Sequence, residues 1–142
     1  MAAKVTNFAT QFLQLVLNGT ALASVWQDGT SPYTTLNVTL HTASPGVGGN
    51  QSTNEATYGA YARVAVARTT GGWTVAAGVA SPVNPITFPT CTSGSQTLTH
   101  FGLGRPLAGA SQLFYFGTIT PNISVSVGIT PQLTQASIIS ED

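Results

Sequence analysis

Few residues in this chain are able to do acid–base, nucleophilic or metal chemistry. The carboxylates are Asp28, Glu55, Glu141 and Asp142, the imidazoles His41 and His100, the one thiol Cys91, and the cations Lys4, Arg63, Arg68 and Arg105. Hydrolysis or general acid–base catalysis needs two or three titratable groups brought together. Asp28 sits in WQDGTSP, where Asp-Gly signals a turn, and Glu55 lies in a long polar loop, so both read as turn or solvated residues. No catalytic residue is assigned and no enzymatic activity is expected. His41 and His100 have neither HxH nor HxxxH spacing, and a lone Cys91 makes no intramolecular disulfide, so the sequence points to no metal site and no cofactor. HFGLGRP carries Gly102 and Gly104 without the third glycine and following helix of a phosphate-binding loop. It reads as a strand end with close backbone approach.

The scarce arginines raise a sharper question. In YARVAVARTTGGWTV an extended strand puts Arg63 on one face with Tyr61 and Ala65, and Arg68 on the other with Val64 and Val66. Each either reaches to solvent at a strand end, or clamps a carboxylate of a neighbouring chain, a role that suits a planar guanidinium. Trp26, Tyr33, Tyr58, Tyr61, Trp73 and the LFYFG cluster could stack on sugars, but core and interface packing is the favoured reading.

These residues need elements to hold them. KVTNFATQFLQLVLNGT spaces Val5, Phe8, Ala9, Phe12, Leu13, Val16 and Leu17 as one helical face, and Asn18-Gly19 stops it, which predicts a helix over about 4–18. Beyond it the period becomes two. YTTLNVTLH sets Leu36, Val38 and Leu40 against Thr35, Asn37, Thr39 and His41, the pattern of a strand with one buried side. Residues 43–59 are turn-rich. Further strands are predicted at 60–69, 72–79, 86–90, 95–103, 112–119 and 122–128, with a weaker one at 131–139 and a hairpin turn at Gly71-Gly72. Pro82, Pro85 and Pro89 confine their segment to an edge or a connection. The pattern predicts a mainly β chain: a jelly-roll-like antiparallel β-sandwich over about 33–139, with one N-terminal α-helix, in a single domain of 1–142.

Charged residues make up 6% of the 142, against about 25% in ordinary soluble domains, and the formal net charge is +0. Little repulsion keeps copies apart, so life in an assembly is expected. Four Lys and Arg supply no basic stripe for nucleic acid. No apolar run approaches the roughly 18 residues of a membrane span, and the N-terminus lacks the pattern of a secretory signal, so synthesis in a cytoplasm is expected.

LNGT at 17–20, LHTASPG at 40–46, YARVAV at 61–66, ITFPT at 86–90, THFGLG at 99–104 and LFYFG at 113–117 follow one another in an order that resembles a group of small tailed-bacteriophage virion proteins often labelled phage tail fibre proteins. The resemblance runs over most of the chain, departing at LTQASIISED. It implies a structural protein of the virion, made in the host cytoplasm. Since the chain shows neither repeats nor a coiled coil, the first expectation is a capsid cement or decoration protein on the capsid surface. Its partners would be the major capsid protein and further copies of itself, as dimer or trimer, with contacts through Phe8, Phe12, Leu15, Arg63, Arg68, Arg105, Phe114 and Phe116. The alternative is a tail-associated protein that binds a host receptor or glycan, using exposed aromatics and the 43–59 loop.

Overall fold

The structure is a computed structural model that describes residues 6–20 and 33–140; of the helix, side chains are described from Thr10 onward. Lys4, Trp26, Asp28, the 141–142 pair and the side chain of Phe8 lie outside the described residues.

The predicted helix is present as α1, Thr6–Asn18. Its stop works as the sequence suggests: Gly19 takes φ 65°, where a Cβ is unfavourable, and Thr20 N donates back to Gln14 O at 3.1 Å. Leu13, Leu15 and Leu17 are buried. Nine strands follow: β1 (Thr35–His41), β2 (Val64–Ala67), β3 (Trp73–Ala76), β4 (Val79–Pro82), β5 (Ile86–Thr87), β6 (Gln96–Gly104), β7 (Leu113–Val125), β8 (Gln132–Leu133) and β9 (Ile139–Ser140). The chain is thus mainly β with one helix, and β1 with β6, β6 with β7, β3 with β4 and β4 with β9 all pair antiparallel.

Two compact units emerge. The chain passes between them at 35/36, 66/67, 85/86 and 132/133, so no linker or change of composition marks a boundary. The first unit comprises Met1–Thr35, Ala67–Pro85 and Leu133–Asp142. In it α1 packs on β3 and β4, and the sheet runs in the order β3-β4-β9. The second, Leu36–Val66 with Ile86–Gln132, holds the four-stranded sheet β2-β1-β6-β7. Leu36, Val38, Leu40, Phe88, Leu98 and Leu103 are fully buried there.

The strand predictions need correction at the β3–β4 turn, at β7 and at 131–139, where two short strands, β8 and β9, lie in different sheets. The hairpin turn is Ala77-Gly78, not Gly71-Gly72. Ala76 pairs with Val79 across two residues of positive φ, 51° and 76°, as a two-residue turn matching strand twist demands. Gly71 and Gly72 instead lie between β2 and β3, which belong to different sheets. The segments 112–119 and 122–128 form one strand, β7, because residues 119–122 bulge out opposite β6 while pairing resumes on both sides. Pro82 ends β4 beyond the two residues that β9 covers, so its missing N–H interrupts no ladder there.

Candidate functional site

The polar side of β1 is not a solvent face. Thr39 and His41 are fully buried, the Thr39 Oγ1 lies 2.8 Å from His41 Nε2, and His41 Nδ1 lies 2.8 Å from Thr53 O. The carbonyl only accepts, so Nδ1 carries the proton and Nε2 accepts from the hydroxyl. Burial, the largest influence, lowers the His41 pKa below its usual value, against the Thr53 carbonyl and the Glu55 charge, which raise it. This corrects the expectation of an exposed imidazole. The alternation pattern fails because the 43–59 loop folds back over this face, bonded through Thr42 N to Asn54 O and Ala56 N to Leu40 O.

The residues beside this cluster explain Arg63. Tyr61 Oη accepts from Leu40 N at 3.1 Å and donates to Glu55 Oε1 at 3.1 Å. Burial pushes the Tyr61 phenol far above its ordinary range, and the nearby Glu55 charge adds to the rise. Glu55 in turn receives Arg63 Nε on Oε1 and NH2 on Oε2, both at 2.7 Å. The remaining donors reach Leu107 O and Gly109 O at 2.7 Å, and Ser52 Oγ at 3.2 Å. Hydrogen bonding to Glu55 raises the Arg63 pKa further, opposing its partial desolvation. Neither reading offered for Arg63, a reach to solvent or a clamp on a neighbouring chain, describes this contact: the bidentate pair closes within the chain, on Glu55, which is a largely buried partner rather than a solvated loop residue.

Gln51, which the sequence reading passes over, completes the arrangement. Fully buried, it donates from Nε2 to Arg105 O at 2.8 Å and Ser111 Oγ at 2.5 Å. Two loops, 51–55 and 105–111, are thereby tied together by Arg63 and Gln51. Gly102 and Gly104 are required by this packing: a Cβ on Gly102 would stand 2.5 Å from Thr39 Oγ1 and 2.8 Å from His41 Nε2, and one on Gly104 2.6 Å from Gln51 Cδ. The close backbone approach read from HFGLG has these side chains as its cause.

Arg68 also turns inward. Its Nε donates to Val16 O at 2.6 Å and its NH2 to Leu15 O, satisfying carbonyls that the end of α1 leaves open. Of the other predicted contact residues, Leu15 is buried in the helix packing, and Phe12 is half-buried. Arg105 contributes its backbone, N to Gln112 O and O to Gln51. Phe114 and Phe116 are exposed, both 37%, on β7. Tyr58 and Trp73 are buried, Tyr58 edge-on to Tyr61 with centroids 5.3 Å apart and its hydroxyl on Pro89 O, so they serve core packing rather than a sugar platform. Burial pushes the Tyr58 phenol up to about 12.

Chemically, this arrangement neutralises or encloses each titratable group it contains. The described residues hold no group of three or more His, Cys, Asp or Glu placed to bind a metal ion, and no described helix is long and apolar enough to cross a membrane. The family model described as podophage GP4 fiber I protein gp80 matches residues 4–139. A comparison with curated proteins finds no significant match. The chain belongs to the podophage GP4 fiber I protein gp80 family, and is a bacteriophage structural protein of fibre type.

Proposed function

We propose that this chain is a non-enzymatic building subunit of the virion's tail fibre apparatus, joined to neighbouring virion proteins and to further copies of itself through apolar and threonine-rich surface. The observation that carries the reading is the match of a podophage fibre family over residues 4–139. The use of the scarce charges supports it. Arg63, Glu55 and Arg68 hold loops and a helix end of their own chain, which rigidifies a scaffold and leaves contact surface that is neutral. The capsid cement role, with the major capsid protein as partner, finds no support in the family description, which names a fibre.

Gold-labelled antibody against the chain, applied to purified virions and viewed by electron microscopy, tests the reading. Label confined to fibres at the tail vertex is the expected result. Label spread over the head surface would overturn it in favour of cement.

A further inference from the structure

β7 is the outermost strand of β2-β1-β6-β7, so among the described residues no strand covers its outer side. An uncovered edge presents a row of free backbone donors and acceptors, which proteins guard with lysines, inward charges, prolines or bulges; on β7, Pro121 and the two bulges lie outside residues 115–118. β7, LFYFGTITPNISV, carries no charged residue at all. Its residues 115–118 run in unbroken register with β6, from Leu103↔Tyr115 to His100↔Thr118, and are bounded by bulges on both sides. Within this straight stretch Phe116 and Thr118 share one face and are both exposed, an aromatic followed by a threonine.

That order is complementary to itself when reversed. We propose that β7 pairs antiparallel with β7 of a second copy, about a twofold axis at Gly117. Phe116 of each copy then lies opposite Thr118 of the other, so both exposed side chains of the straight stretch gain an aromatic–β-branched neighbour. An axis at Phe116 would instead set Phe116 on itself and place Thr118 opposite the bulged Phe114. The formal net charge of +0, and the absence of charge on the strand, leave little electrostatic repulsion against a second copy. The opposite edge of the sheet, β2, is four residues long and exposes only Ala65 and Ala67, so it offers no comparable strip. The pairing holds wherever in the virion the chain resides.

The register makes the test specific. Phe116→Cys and Thr118→Cys chains are purified separately and oxidised mildly, alone and as an equimolar mixture, with the wild type as control for the buried Cys91. Disulfide-linked dimers should form several-fold faster in the mixture than in either variant alone. Equal rates, or no linkage in the mixture, would overturn the pairing. In parallel, sedimentation of the wild type should show a concentration-dependent dimer that Thr118→Lys weakens roughly tenfold or more. A wild type that stays monomeric, or an oligomer indifferent to Thr118→Lys, would also overturn it.

Discussion

Arg63 and Glu55 meet through two parallel hydrogen bonds of 2.7 Å, with side chains only 12% and 15% exposed, and the same guanidinium holds the carbonyls of Leu107 and Gly109. Removing one member of such a pair leaves the other charge poorly solvated. Arg63→Ala is expected to destabilise by about 2–4 kcal/mol and to expose the 105–111 loop to protease, read by urea unfolding and limited proteolysis. Because the pair is closed within the chain, the double variant Arg63→Met, Glu55→Met should recover part of the loss. An Arg63→Ala chain as stable as the wild type would contradict the loop-holding role.

The buried imidazole of His41 makes stability depend on pH in a defined direction. Thr39, the Thr53 carbonyl, Glu55, His100 and Arg63 surround it, and burial holds its folded pKa below the unfolded value of about 6.5. As pH falls, the unfolded chain therefore takes up this proton first. The contribution of His41 is fully present above about pH 6.5 and is lost progressively below it. Urea midpoints should drop between pH 7.5 and pH 5, with a shallower drop in His41→Gln, itself less stable at neutral pH. Parallel pH profiles would remove His41 as the cause.

Ala77 opens the β3–β4 turn at φ 51°, a conformation that costs an L-residue with a Cβ roughly 1–2 kcal/mol. Ala77→Asn creates the Asn-Gly pair favoured in such turns and should raise stability by about 0.5–1 kcal/mol, a gain of a few degrees in Tm. Calorimetry decides it. A fall in Tm would mean that the turn is not of this type.

Glycines predict opposite outcomes according to their surroundings. Gly102→Ala would drive a Cβ into Thr39, Leu113 and His41, and is expected to cost about 2–4 kcal/mol or prevent folding. At Gly48 nothing lies within 4 Å of an added Cβ, and Gly48→Ala should be neutral within about 0.5 kcal/mol. Soluble yield and Tm of the pair separate the two. Equal behaviour would contradict the packing of His41 and Thr39 against β6.

Particular residues show how far the sequence could be read. The helix and its Asn18-Gly19 stop were legible because period and cap are local signals, and so was the close approach at Gly102 and Gly104. The burial of His41 and Thr39 was not, since it depends on the 43–59 loop returning over β1, a contact between distant segments. Gln51 left no signal: one amide in a stretch of Gly, Ser and Asn looks like any loop residue. Glu55 left a faint one, being a rare carboxylate six and eight residues before Tyr61 and Arg63. Ala77 hid the hairpin because Gly71-Gly72 carries the stronger local turn preference, while the pairing of Trp73 with Pro82 places the turn elsewhere.

The copy number of the chain relative to the major capsid protein, measured by quantitative mass spectrometry of purified virions, bears most directly on its place in the particle. A fibre subunit should be present at a small multiple of the tail components, far below the major capsid protein. A ratio near one, or a simple large fraction of it, would contradict the fibre role and make the chain part of the capsid lattice.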